Sequence, residues 1–233
     1  MDKNYVLSLP TANEFNSYVN SALKNNEISK NEWYELNNIF FTRMYLSKDN
    51  PRGQSGHGGD EYHYIFTQLP IMEAIYKNGT FCDVGCANGH LIEMVHKWGI
   101  GIGFELHMYG VDISEGLIEL AKRRLPLWKD RFFIGNTFYW KPKHKFDYIH
   151  IGGLGQVPED DRLKFFEHLM DNYLVDGGRM ILGPYWYENN DLLLNDRDIP
   201  DLCISPTGYI EKTHYNKKNM VRRAVWFDKK NPD

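Results

Sequence analysis

Asp83-Val-Gly-Cys-Ala-Asn-Gly89 follows a run of strand formers, Thr80-Phe-Cys82. It precedes His90-Leu-Ile-Glu-Met-Val-His-Lys-Trp98, whose apolar residues at 91, 92, 94, 95 and 98 fit one helical face. The order is strand, loop, helix. In such a turn glycine lets the backbone approach a ligand, and the helix N-terminus offers free N–H donors and a partial positive charge to an anionic group. The spacing is Gly85-x-x-x-Gly89. Positions 87 and 90 are Ala and His, so the chain lacks the G-x-G-x-x-G of dinucleotide binders, and it lacks the Gly-Lys-Ser/Thr of a P-loop. Taken alone, the loop is consistent with a ligand seat or with a plain tight turn.

The strands that follow separate these readings. Leu106-His-Met-Tyr-Gly-Val-Asp112 is a mostly apolar run ending in a carboxylate, and Ser114 caps the helix that begins after it. An acid at the end of the second strand is placed to accept ribose hydroxyls, although Asp112 by itself could simply open a helix. Arg131-Phe-Phe-Ile-Gly-Asn-Thr137 reads as a third strand with a polar end, and Lys145-Phe-Asp-Tyr-Ile-His-Ile151 as a fourth. A helix is predicted from Pro158 to Tyr173, then a fifth strand from Gly177 to Gly183. A hairpin of 208–215 and 220–227 turns around Asn216-Lys-Lys-Asn219. Strands alternating with helices predict an α/β, doubly wound sheet with its ligand at the carboxyl ends of the strands.

These residues resemble the class I S-adenosylmethionine-dependent methyltransferases from about Thr80 to Trp186. The matching pieces are Asp83 to Gly89, Tyr109-Gly-Val-Asp-Ile-Ser114, Gly135-Asn136, Phe146-Asp-Tyr-Ile149, Val157-Pro158 and Asp176-Gly-Gly-Arg-Met-Ile181. The resemblance implies a Rossmann-like, seven-stranded mixed sheet whose last hairpin is antiparallel, with S-adenosyl-L-methionine as cofactor. It implies that Asp83 orders the loop and reaches the cofactor's ammonium group, with Gly85, Cys86, Ala87 and Gly89 facing the methionine part. Asp112 would hold the ribose, Ile113 would pack on the adenine, and Asn136 with Thr137 would read its amino edge. The backbone of His150, Ile151 and Gly152 would close the methionine side. The family often has an acid or His just before Val-Pro, where this chain has Gln156, a departure that argues against a proton-transfer role at that position. His150-Ile-Gly-Gly153 stands where nucleobase and glutamine N-methyltransferases carry Asn/Asp-Pro-Pro-Tyr, which disfavours a planar amide nitrogen as acceptor.

The chain has 233 residues, 42% of them hydrophobic, which suits one α/β domain with an appendage. A net charge of −4 gives no broad attraction to nucleic acid or an anionic membrane. Lys122-Arg-Arg124, Lys217-Lys218 and Arg222-Arg223 read as solvated helix and strand faces. No apolar run approaches a membrane span and the first residues lack the apolar core of a signal peptide, so a cytoplasmic location is expected. Three cysteines, Cys82, Cys86 and Cys203, argue against a disulfide framework, and none has zinc-site spacing, so no metal is expected.

Residues 1–50 read as an N-terminal helical cap, with helices at 11–26 and 29–48. The second carries Trp33, Leu36, Ile39, Phe40 and Met44 along one side, as core or as a roof over the substrate. Residues 51–60, with four glycines in ten, read as linker or lid, and 61–233 as the Rossmann-like domain, entered by a helix from Asp60 to Tyr76 interrupted near Pro70. The aromatic sets Tyr139-Trp140 and Tyr185-Trp186-Tyr187 could face a cation or simply pack. The expected function is methyl transfer to an oxygen or amine nitrogen of a small molecule, as in stand-alone biosynthetic enzymes. Candidate bases are His57, Glu61, His150 and Tyr185. The alternatives are a non-catalytic cofactor-binding module and an RNA methyltransferase, supported only by the basic C-terminal residues. A monomer or homodimer is expected.

Overall fold

The computed structural model describes residues 2–188, 204–215 and 217–231. Three helices come first: α1 (Lys3–Leu7), α2 (Ala12–Lys24) and α3 (Lys30–Leu46). The short α1 is not in the sequence reading; the Asp2 carboxylate caps it by accepting from Asn4 and Tyr5 N–H. A reciprocal capping box between Ser29 and Glu32 starts α3. Val6, Phe15, Val19, Trp33, Leu36 and Phe40 form a separate buried cluster, in which Phe15 and Phe40 stack at 3.9 Å. Ile39 departs from the expected stripe and is 42% exposed. At 100° per residue it lies well off the line through positions 33, 36 and 40.

After the glycine-rich segment come α4 (Glu61–Gln68) and a 3₁₀ turn over Leu69–Ala74, so the helix changes pitch at Pro70 as the sequence suggests. The core then alternates: β1 (Gly79–Val84), α5 (His90–Gly101), β2 (Leu106–Asp112), α6 (Glu115–Arg124), β3 (Phe132–Ile134), β4 (Phe146–Ile151), α7 (Arg162–Asn172), β5 (Leu174–Glu188), β6 (Gly208–His214) and β7 (Lys217–Asp228). The sheet order is β3-β2-β1-β4-β5-β7-β6, parallel through β5 and antiparallel for the final two strands. This is the doubly wound, seven-stranded mixed sheet that the sequence predicts.

Period-two alternation divides the core between the two faces of the sheet. Phe81, Tyr148 and Ile181 join the cluster that includes Ile92 and Val95 of α5 and Ile118 of α6. Their neighbours Cys82, Ile149 and Met180 meet Phe165, Phe166 and Leu169 of α7 on the other side. A Cβ on Gly110 would lie 2.7 Å from Cys86 Sγ and Ile92 Cδ1, so the close approach of α5 and the loop to β2 requires glycine there.

Several boundaries differ from expectation: β5 extends past 177–183 at both ends, and β7 begins at Lys217, inside the expected turn of Asn216 to Asn219. The third strand ends at Ile134 because the Asn136 side chain accepts from Phe138 N–H at 3.0 Å, turning the chain out of the sheet. The helix expected from Pro158 begins only at Arg162, since Pro158 has ψ of 138°, an extended value, and a 3₁₀ turn follows it. The order reverses at β1, with β2 on one side and β4 on the other, which opens a crevice above their carboxyl ends. There α3 is tied to the core: Thr42 Oγ1 lies 2.7 Å from Ser114 Oγ, and Lys30 reaches Asp161 at 2.6 Å.

Candidate active site

The loop after β1 takes left-handed conformations at Gly85 (φ 78°), Ala87 (φ 46°) and Gly89 (φ 75°). Such a φ is costly for alanine and persists where surrounding bonds hold it. The Ala87 N–H donates to Asp112 Oδ2 at 2.8 Å, and the Gly85 and Cys86 N–H groups donate to the Val111 carbonyl at 2.8 and 3.2 Å. Asn88, fully buried, donates to the Pro51 carbonyl at 2.8 Å and accepts from His90 N–H at 3.1 Å. Arg124 grips the Asn88 carbonyl at 2.7 Å and Glu93 at 2.6 Å. The end of α6 expected to be solvated is therefore partly a clamp on the loop.

Asp112 also accepts from Ser114 N–H at 2.8 Å, through Oδ1. Burial pushes its carboxyl pKa up and the Asp83 charge adds to the rise, while the Ser114 and Ala87 N–H bonds oppose it. Asp83 and His150 form a buried pair, Oδ1 to Nδ1, at 2.7 Å. His150 Nε2 lies 2.6 Å from the Gly183 carbonyl. A backbone carbonyl can only accept, so Nε2 is the donor to Gly183, and both ring nitrogens are engaged.

Three cavities share Gly85 and Gln156 as a common wall. One of about 90 Å³ is bordered by Tyr34, Asp112, Ile113, Asn136 and Thr137. A second, about 110 Å³, lies under α3 between Tyr34, Tyr45, Ala87 and Asp112. The third, about 210 Å³, is lined by the loop residues Asp83, Gly85, Cys86 and Ala87, by His150, Ile151 and Gly152, and by His57, Gln68 and Arg222. Of the cofactor residues expected from sequence, Gly89 lines none of these. It starts α5 beneath the loop, where a Cβ would meet Leu125 and Phe132 at 3.0 Å.

The four candidate bases separate. His57 and His150 line the largest of these three cavities, but His150 has both nitrogens engaged. Glu61 is exposed on the first turn of α4 and lines none of the three cavities. Tyr185 packs against the core cluster containing Leu182 and lines none of them either. Tyr139 is 74% exposed, while Trp140 packs on Phe133 and Tyr173 at 5.1 and 5.6 Å. The side chains of Trp186, Tyr187, Lys217 and Lys218, and all of Cys203, lie outside the described residues. Among the described residues no group of three or more His, Cys, Asp or Glu could hold a metal ion, and no helix is long and apolar enough to cross a membrane.

Tyr34, Tyr45 and Gln68 are cavity residues that the sequence does not single out, and Arg222, expected on a solvated strand face, is buried and lines the third cavity. The Tyr34 hydroxyl is buried with no hydrogen-bond partner, and burial with the Asp161 charge raises its pKa. An orphaned hydroxyl on a wall shared with Asp112 suits a polar ligand such as an adenosine moiety. Burial also pushes the Tyr45 hydroxyl up to about 12.

Comparison with known proteins agrees with this architecture. Residues 81–178 match a family model described as a methyltransferase domain. An uncharacterized protein of Methanocaldococcus jannaschii is 36% identical over 81 residues, 32% of this chain, and the match spans only 20% of that relative's length. A Listeria monocytogenes protein described as a class I S-adenosylmethionine-dependent methyltransferase superposes with a TM-score of 0.51 at 14% identity. That match covers 99% of this chain and 79% of the other. Geranyl diphosphate C-methyltransferase from Streptomyces coelicolor, solved with S-adenosyl-L-homocysteine, gives 0.52 at 13% identity over 82% of this chain and 97% of its own. At these identities the solved structures establish the fold.

Proposed function

We propose that the chain is an S-adenosylmethionine-dependent methyltransferase acting on an oxygen or amine nitrogen of a small molecule. The cofactor is indicated by the methyltransferase-domain match over residues 81–178 and by the S. coelicolor neighbour with its bound S-adenosyl-L-homocysteine. The observation that carries the reading is the Asp112 carboxylate, pinned by Ala87 and Ser114 N–H groups at 2.8 Å each on the wall common to two cavities. Each oxygen keeps further acceptor capacity, as two ribose hydroxyls need.

When bound, S-adenosylmethionine supplies a methyl group already activated on a sulfonium. The chain's part is to orient and to exclude water, which can account for roughly 7–11 kcal/mol of a barrier. In this reading Asp112 holds the ribose, Ile113 covers the adenine, and Asn136 and Thr137 meet its edge. Asp83, Gly85, Cys86 and Ala87, with His150 to Gly152, enclose the methionine end, and Gly89 sets the helix behind them. Residues 1–50 act as a cap and 51–60 as a lid on the domain of 61–233, a division supported by the Asn88 bond to the Pro51 carbonyl at 2.8 Å. Titration with S-adenosyl-L-homocysteine should give saturable binding at one site per chain; absence of binding at millimolar ligand would refute the proposal.

His57 takes the role of general base. Burial, then the Arg222 charge, lowers its pKa to about 4, so the imidazole is neutral at pH 7 and able to accept a proton. Because the folded value lies below that of the free side chain, 6.5, the unfolded chain takes up the proton first as pH falls. His57 therefore contributes stability that is present above about pH 6.5 and lost on descending to about pH 4; His90, also lowered to about 4, acts in the same direction. Urea unfolding at several pH values should show a shallower loss of stability across that window in His57→Gln than in the wild type. An unchanged slope would show that His57 is not held neutral.

A further inference from the structure

We propose that the cavity between the end of α3 and the glycine-rich segment seats an anionic group of the methyl acceptor, held by Arg52 and Lys48. This rests on the methyltransferase reading and narrows its acceptor to a small molecule carrying a phosphate or carboxylate. The cavity holds about 290 Å³, against about 210 Å³ beside the glycine loop. Its wall is drawn from Met44 and Tyr45 of α3, from Lys48 and Arg52 just beyond, and from the turn at Gly56 to Gly59. Composition alone leaves that segment open as a spacer, but the chain folds it into a compact turn. Asn50 Oδ1 accepts from Gly53 N–H at 2.8 Å, and the Arg52 carbonyl accepts from Ser55 and His57 N–H at 3.1 Å each.

The charges on that wall have one sign. Lys48 and Arg52 both border the cavity, no acidic residue does, and His57 is neutral at pH 7 because burial lowers its pKa to about 4. Among the described residues neither cation has an ion-pair partner. Asp49, next to Lys48, is exposed, accepts from Asn50 Nδ2 at 2.9 Å and stands outside the wall. Arg52 is the firmer anchor. Its Nε is buried without a hydrogen-bond partner, a costly state for a donor that an incoming anion would relieve. Its charge joins burial and Arg124 in lowering the His90 pKa to about 4, against Glu93, which puts the guanidinium on the side of the loop facing α5. A cleft walled by one sign of charge draws the opposite ion. The flat guanidinium fork matches the oxygens of a carboxylate or phosphate, and the ammonium adds a point charge.

The position also suits an acceptor. Tyr45, Gly56 and His57 border both this cavity and the one lined by the glycine loop, so His57 stands on a wall common to the two. A molecule anchored at Arg52 would extend its nucleophile past that imidazole toward Gly85. Binding energy spent at the anchor then orients the reacting end.

Inorganic phosphate is the probe, titrated into wild type, Arg52→Gln and Lys48→Gln with and without saturating S-adenosyl-L-homocysteine, at an ionic strength held constant with sodium chloride. Phosphorus NMR line broadening should saturate in the wild type. Binding should be roughly tenfold or more weaker in Arg52→Gln, and about threefold weaker in Lys48→Gln, whose side chain is exposed. Affinity for S-adenosyl-L-homocysteine should stay within about twofold of wild type in both variants. Acetate added to the phosphate complex tells the two anion classes apart: efficient displacement assigns the seat to a carboxylate, and poor displacement to a phosphate. Should Arg52→Gln fail to fold, Lys48→Gln carries the same comparison. The proposal is overturned if phosphate binding does not saturate, or if the folded variants bind phosphate as the wild type does. It is overturned too if the variants lose S-adenosyl-L-homocysteine and keep phosphate, since the cations would then serve the cofactor. Failure of the wild type to bind S-adenosyl-L-homocysteine would instead remove the methyltransferase reading.

Discussion

Asp112→Ala is expected to weaken S-adenosyl-L-homocysteine binding by roughly two orders of magnitude or more. A hydrogen bond to an ionised acceptor contributes about 1.5–3 kcal/mol, and the ribose would lose two of them. The carboxylate also organises its own site. It holds the Ala87 and Ser114 N–H groups at 2.8 Å each, so the alanine variant releases the loop at a residue with φ of 46°. Two backbone donors left without a partner should cost about 1–3 kcal/mol each where water cannot reach them, so a lower urea midpoint should accompany the weaker binding. Asp112→Asn separates the two effects. Its amide can accept at one oxygen only, so one N–H remains bound and the loss of affinity should fall between wild type and Asp112→Ala. Calorimetric titration of all three proteins measures this order, and an affinity within threefold of wild type in Asp112→Ala would take the ribose away from this residue.

The parts of the site legible in the sequence are those specified within a few residues. β2 ends at Asp112 as its apolar run suggests, and the Ser114 cap at the start of α6 is a local hydrogen bond to Leu117 N–H at 3.2 Å. The glycine loop is local too, since positive φ at Gly85 and Gly89 is a property of the turn. The third strand was overread because an apolar run does not reveal that the next side chain, Asn136, will turn the backbone.

Residues that depend on distant packing were not legible. On β7, Val221, Arg222, Ala224 and Val225 are all buried. A strand covered on both faces loses the alternation that separates inside from outside, so a buried arginine there reads like its solvated neighbours. Tyr34 and Tyr45 lie off the line of Trp33, Leu36 and Phe40 on α3, with Tyr34 at the edge of the Phe15 cluster. Only the docking of α3 on α6, marked by Thr42 Oγ1 at 2.7 Å from Ser114 Oγ, turns them into a cavity wall. The sequence placed His150 at the end of a strand over the crevice, but its partner Gly183 arrives from β5, 33 residues later.

That pairing sets the second large effect. His150→Ala is expected to destabilise the protein by about 3–5 kcal/mol, because it leaves the Asp83 carboxyl buried without the imidazole that binds it. The side chains of His150 and Asp83 are 3% and 5% exposed, so solvent offers little compensation, and Asp83→Ala should be costly for the mirrored reason. The double variant Asp83→Ala/His150→Ala removes both partners and should be more stable than the sum of the singles allows, by about 1–3 kcal/mol of coupling. Urea unfolding of the four proteins at one pH gives that coupling directly. A histidine acting as a base at the end of β4 behaves differently: its loss would abolish turnover while leaving stability and the Asp83 cycle nearly untouched. The structure favours the first outcome, because an imidazole with one nitrogen 2.7 Å from a carboxylate and the other 2.6 Å from a carbonyl has neither nitrogen free for an acceptor's proton. Under the proposed function His150 then shapes the cofactor end, and His57 is the candidate base with a ring nitrogen facing the same cavity.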